Sequence, residues 1–177
     1  MNAEPSQGLG VAGPPEYRAA RPEDAAQCVA LRGQTRENAV SPERLQALGI
    51  TEQTWGEDIR RGELPGHICS SEGRMVGYCF GSRSEGEIVV LALLPAFEGR
   101  GIGKELLGRM SRDLAALGHK RLFLGCSDDP TSRSWGFYRY LGWRSTGRFD
   151  GHGDEILEHF PEPCDQSPTP PVLPSAA

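Results

Sequence analysis

Between Tyr17 and Phe160 the apolar positions keep two rhythms, every second residue or every third to fourth, and each change of rhythm marks a new element. Tyr17-Arg18-Ala19-Ala20 reads as a short first strand. Arg21-Pro22-Glu23-Asp24 then opens a helix whose first turn carries proline and two acids, and the helical pattern runs to about Thr35. Ser41 as N-cap and Pro42 at the first helical position begin a second helix, and a third runs from Thr51 to about Arg61. His67 to Ser71 and Met75 to Ser82 are strands flanking Glu72-Gly73-Arg74, a short glycine-containing hairpin connection. Glu87 to Leu94 holds the unbroken apolar run Ile88-Val89-Val90-Leu91-Ala92-Leu93-Leu94, which predicts a strand buried on both faces at the centre of the sheet.

Ile102, Leu106, Met110, Leu114 and Leu117 return to helical spacing and stop at Gly118. Arg121 to Cys126 is the next strand, Thr131 to Leu141 a helix ended by Gly142, and Trp143 to Phe149 with Glu155 to Phe160 a final hairpin across Asp150-Gly151-His152-Gly153-Asp154. This order predicts an α/β fold with a mixed sheet and no internal repeat. The 177 residues suit one domain, expected at 16–162, between glycine- and proline-rich tails at 1–15 and 163–177.

Composition narrows the setting. Cys28, Cys69, Cys79, Cys126 and Cys164 are an odd number without CxxC pairing, which suggests neither a disulfide framework nor a thiolate zinc site and fits a reducing cytoplasm. His67, His119, His152 and His159 lack metal-ligand spacing, so no metal is expected. There is no apolar signal core near Met1 and no run of about 18 apolar residues that would span a bilayer, so a soluble protein is expected. A net charge of −5 without a basic tract argues against nucleic acid as the partner.

The candidate chemistry lies in Pro95-Ala96-Phe97-Glu98-Gly99-Arg100-Gly101-Ile102-Gly103-Lys104. Glycines at alternate positions let backbone N–H groups converge where the following helix adds its dipole, and an anion is the natural occupant. A Walker A loop fails twice, since Glu98 stands at its first glycine and Glu105 at its hydroxyl position. The dinucleotide fingerprint fails as well, because a count from Gly99 ends on Lys104.

Leu91-Ala92-Leu93-Leu94-Pro95 followed by Glu98-Gly99-Arg100-Gly101-Ile102-Gly103-Lys104-Glu105-Leu106-Leu107 resembles motif A of the GNAT superfamily of N-acetyltransferases. Phe137-Tyr138-Arg139-Tyr140-Leu141-Gly142-Trp143 resembles its motif B, in the family's order and distance, and the likeness spans roughly Tyr17 to Phe160. The resemblance implies a mainly antiparallel sheet flanked by helices, with a parallel strand pair splayed apart at the cofactor cleft. It also implies acetyl-coenzyme A as cosubstrate and a homodimer, since members are often dimers. Two positions depart from the pattern: Glu98 replaces the usual Gln or Arg, and Thr131 stands where many members carry Asn.

By the same resemblance, backbone groups near Leu93 and Leu94 pair with the pantetheine arm. Amides from Gly99 through Arg100, Gly101, Ile102 and Gly103 to Lys104 hold the pyrophosphate, and Thr131 adds a polar contact. Tyr138 is the expected general acid for the departing thiolate, against a reading as a half-buried packing aromatic. Glu87 is a candidate general base, or equally a solvated start of its strand. Arg36, Glu37 and Asn38 at the end of the first helix, with Trp55, are candidates for the acceptor pocket, or a polar helix end beside a core tryptophan. Cys126 is read as a small buried hydrophobe and not as a nucleophile. The expected reaction is direct acetyl transfer to a primary amine of a small or amino-acid-like molecule. The alternatives are a protein or peptide acceptor, N-terminal or lysine, and a non-catalytic acyl-coenzyme A sensor.

Overall fold

The computed structural model describes residues 13–37 and 39–162. The tails expected at 1–15 and 163–177 lie outside them, apart from 13–15, and so do Asn38 and Cys164. Within 13–15, Gly13 is tied to the domain, donating its N–H to Glu72 Oε1 and accepting the Ser71 hydroxyl on its carbonyl.

Strands β1 (Glu16–Ala19), β2 (Gly66–Ser71), β3 (Arg74–Gly81) and β4 (Ile88–Leu93) form an antiparallel sheet in that order. Strands β5 (Leu122–Cys126), β6 (Arg144–Phe149) and β7 (Glu155–His159) form a second sheet in the order β5-β7-β6, also antiparallel. Where the two sheets meet, β4 and β5 run parallel and touch through a bridge between Glu87 and Phe123. Beyond that bridge they diverge, as the resemblance implied.

β3 shows why the layers stack as they do. Its residues alternate large and small, so Val76, Tyr78 and Phe80 are directed to one face and Gly77, Cys79 and Gly81 to the other. The large side meets α1 (Ala25–Arg32) and α3 (Glu52–Arg61): Tyr78 donates its hydroxyl to the Cys28 carbonyl, and Trp55 packs edge-on against Tyr78 and Phe80. On the small side α4 (Ile102–Ala116) approaches closely. A Cβ at Gly77 would meet Leu106, and one at Gly81 would meet Met110 and Leu114, the apolar stripe of that helix. Helices α2 (Pro42–Ala47) and α5 (Arg133–Tyr140) complete the fold.

Three expectations change on inspection. The first helix begins as a single 3₁₀ turn at Pro22–Asp24 and its α-helical part stops at Arg32, short of Thr35. The final helix starts at Arg133 because Ser132, not Thr131, is the N-cap and accepts the Trp135 N–H. β4 is not covered on both faces: Val89 is 47% exposed and Val90, Leu91 and Leu93 are half-buried. Its register slips between Phe80 and Gly81, where Phe80 faces Val90 and Gly81 faces Ile88, so Val89 bulges out of the ladder. The apolar run therefore forms a wall as well as a core strand.

Candidate active site

That wall bounds a cleft of about 970 Å³ opening between the diverging strands. It is lined by β4, the turn after it, the start of α4, the end of β5, α5 and the segment after α1. The turn at its head has the geometry of an anion cradle. Gly99 and Gly101 adopt φ of +74° and +79°, conformations that cost a side-chain-bearing residue about 1–2 kcal/mol. Gly103 faces Phe137 of α5, where an added Cβ would come to 3.4 Å. The Glu98 N–H donates to Pro95 O and the Glu105 N–H to Gly101 O. Between them, the amides of Gly99 to Lys104 have no acceptor among the described residues. Unpaired donors gathered at a helix N-terminus favour an anionic ligand, so the residues present suit a pyrophosphate.

β4 contributes backbone as well as side chains. Leu94 donates its N–H to Val76 O and accepts Phe97 N–H on its own carbonyl, so both its groups are engaged within the fold. Strand groups alternate in direction, and Leu93 and Leu91 stand opposite Gly77 and Cys79 in the intervening pairs, with N–H and C=O turned toward the cleft. The geometry thus replaces Leu94 by Leu91 as the partner of Leu93 in lining the cleft.

The departure at Glu98 is accommodated by pairing its carboxylate with two arginines. Arg36 Nε donates to Glu98 Oε2 at 2.8 Å, and Arg133 Nη1 approaches the same oxygen at 3.3 Å. Glu37, next to Arg36, accepts the backbone N–H groups of Arg133 at 2.8 Å and Ser134 at 3.5 Å, capping α5 from across the cleft. Arg36 and Glu37 do line the cleft, but they link the segment after α1 to the turn and to α5. Of the other site candidates, Lys104 lines it, while Arg100 lays its guanidinium over the Phe97 ring, 5.0 Å from the centroid, and is absent from the lining.

Three candidates sit elsewhere. Thr131 donates both its N–H and its hydroxyl to Asp129, and Ser132 and Ser134 occupy the cleft wall in its place. Trp55 is 6% exposed and belongs to the aromatic core, not to the acceptor side of the cleft. Glu87 stands at the bridge just before β4 and is not among the lining residues; burial, then Glu85 and Asp150, push its carboxyl up.

Tyr138 is in the cleft, held by α5 with its ring edge-on to Phe137 and Trp143. Burial, followed by the neighbouring Cys79 and Cys126, pushes its phenol above the ordinary range, so it stays protonated at neutral pH. Cys126 also lines the cleft, but burial raises its thiol, which suits a packing residue. Asp154, in the β6–β7 connection, lines the cleft without belonging to either motif. Its only signal in the sequence is two aspartates bracketing a Gly-His-Gly turn, the composition of any exposed hairpin loop.

The comparisons with known proteins agree with this geometry. The family model described as Acetyltransferase (GNAT) family matches residues 30–143. No curated protein sequence matches the chain. Among solved structures, PaiA N-acetyltransferase from Thermoplasma acidophilum in complex with coenzyme A superposes with a TM-score of 0.71 at 19% identity, over 83% of this chain and 99% of that one. The ribosomal-protein-S18-alanine N-acetyltransferase from Escherichia coli gives 0.63 at 14% identity, over 88% and 99%. An aminoglycoside 6'-acetyltransferase type Ii gives 0.64 at 17% identity, over 84% and 99%. At these identities the likeness establishes a shared fold, while the family model covers well over half of this sequence. The chain is an acyltransferase and belongs to the GNAT acetyltransferase family.

Proposed function

We propose that this protein moves an acetyl group from acetyl-coenzyme A directly to a primary amine on a small or amino-acid-like molecule. What carries the reading is the run of unpaired amides from Gly99 to Lys104, set at the head of a cleft whose side wall offers the backbone of Leu91 and Leu93. The amides hold the diphosphate, and the strand backbone aligns the pantetheine arm as an added strand would be aligned. Bound in this way, the cosubstrate supplies an activated thioester carbonyl at the far end of the cleft.

Tyr138 then protonates the departing sulfur. Its raised phenol is a donor at neutral pH, and no described residue competes for the hydroxyl with a hydrogen bond. A small acceptor is favoured because a cleft of about 970 Å³ is shared with the pantetheine arm. The four described cysteines are free, which accords with a cytoplasmic setting.

The test is to titrate the purified protein with acetyl-coenzyme A by calorimetry and then to follow free thiol release with a panel of small amines and short peptides. Saturable binding with amine-dependent release is expected. Binding without release from any acceptor would favour a sensor, and release with peptides alone would move the acceptor to protein. No binding would end this reading.

A further inference from the structure

Transfer to an amine requires loss of the ammonium proton before attack, and the lining of the cleft restricts where that proton can go. Its carboxylates, among the described residues, are Glu37, Glu98 and Asp154. Glu37 is engaged by the amides at the start of α5, and Glu98 by Arg36 and Arg133. The Asp154 carboxylate accepts no hydrogen bond from any described side chain or amide.

The loop explains why it is left open. Asp150 does the structural work: its Oδ1 accepts the N–H groups of His152 at 2.8 Å and Asp154 at 3.0 Å, and its own N–H donates to Asp154 O at 2.9 Å. The turn is thereby closed through Asp150 and backbone, and the Asp154 side chain is not needed to hold it. Gly125 of β5 leaves room beneath the pair. A Cβ there would lie 3.1 Å from Asp150 Oδ2, 3.4 Å from Asp154 Cβ and 3.8 Å from Asp154 Oδ2. The next residue, Cys126, lines the same cleft as Asp154 and Tyr138, so the three groups share one wall.

We propose that Asp154 is the general base of this enzyme, taking the proton from the acceptor's ammonium group at the end of the cleft where Tyr138 stands. The inference rests on the acetyl-transfer reading above. One N–H bond of the ammonium breaks and its proton passes to the Asp154 carboxylate. The freed lone pair attacks the thioester carbon, a C–N bond forms, the C–S bond breaks and the thiolate takes the Tyr138 proton. A second nitrogen proton restores the phenol as the amide forms, and Asp154 releases its proton to water.

The electrostatics fit the role. Burial raises the Asp154 carboxyl above the ordinary aspartate range, Asp150 in its own loop and Asp128 in the β5–α5 connection raise it further, and His152 opposes them. Asp150 goes the other way: burial works against its ionisation, but the amides of His152 and Asp154 outweigh it and lower its carboxyl. Two neighbouring acids whose environments drive them apart in this manner divide into a structural anion and a proton acceptor.

The experiment compares kcat/KM against pH for the wild type, D154N and D154E, with a small primary amine that the wild type acetylates. D154N is expected to lose activity by about 100-fold or more near neutral pH. The acid limb of its profile should move up to the pH range where the amine itself loses its proton, so that D154N recovers toward the wild type at high pH. A merely structural aspartate would not give that convergence. D154E should restore part of the rate, acetyl-coenzyme A affinity should be unchanged in both, and E85Q, which removes an equal charge from the exposed β3–β4 turn, should match the wild type. A D154N enzyme whose acid limb stays at the wild-type position, or an E87Q enzyme whose limb moves instead, overturns the assignment while leaving acetyl transfer intact. A wild type inactive with every amine removes the reading on which the assignment rests.

Discussion

Tyr138 and Asp24 show how burial decides what a single side chain does. Y138F keeps the ring that packs on Phe137 and Trp143 and removes only the proton donor. Its kcat should fall by about 100-fold or more while calorimetric affinity for acetyl-coenzyme A is retained, whereas a packing role would leave kcat unchanged. Asp24, 6% exposed, accepts both Arg18 Nη groups at 2.7 Å and the Arg21 N–H at 2.7 Å. Burial disfavours its charge, yet these donors prevail and hold the carboxyl below its usual range. A lowered carboxyl stabilises the fold above the unfolded value and loses that contribution as pH falls through the folded one. D24N should therefore cost about 1–2 kcal/mol in urea unfolding at pH 7, the half-exposed Arg18 limiting the loss, and the deficit should shrink as pH falls below the ordinary aspartate range. Tyr138 was legible in the sequence because a helical motif fixes it. Asp154 was not, because only the crossing of the β6–β7 loop over Gly125 brings it to the cleft.

At the scale of elements, spacing served well wherever one segment decides its own conformation. The stripe from Ile102 to Leu114 and the glycines of the turn needed no partner to be recognised. β4 did not yield to the same treatment, because an unbroken apolar run reads alike whether protein or ligand covers it; the bulge at Val89 and the divergence from β5 depend on strands distant in sequence. Leu94 was misjudged for a related reason, since which backbone groups face outward depends on register with β3. Close packing here gives a sharp test. A Cβ at Gly77 would lie 2.7 Å from Leu93 Cδ1 and 2.9 Å from the Ala92 carbonyl oxygen, so G77A must push β3 from β4. A loss of about 1–3 kcal/mol in thermal or urea unfolding is expected, with weakened cofactor binding because Leu93 is part of the cleft wall.

Across the whole molecule, the mouth of the cleft is tied by charges from three separate segments: Arg36, Glu98 and Arg133. Exposed pairs of this kind are worth little to stability, but their net sign bears on a polyanion. E98Q releases two guanidinium groups from their counter-charge beside the cradle and should tighten acetyl-coenzyme A binding, more at low salt than at high; calorimetry at two ionic strengths would show weaker or unchanged binding if Glu98 instead orders the site. The general architecture followed from element order and motif, while this tie did not, because Arg36 and Glu98 lie far apart along the chain. The bridge between Glu87 and Phe123 has one last effect. Two leaves of sheet hinged along a single spine are stiffened by whatever fills the gap between them, so a cosubstrate lodged there acts as mortar for the entire body. Deuterium uptake at Leu91 and Leu93 should slow when it is added, and the melting temperature should climb with its concentration.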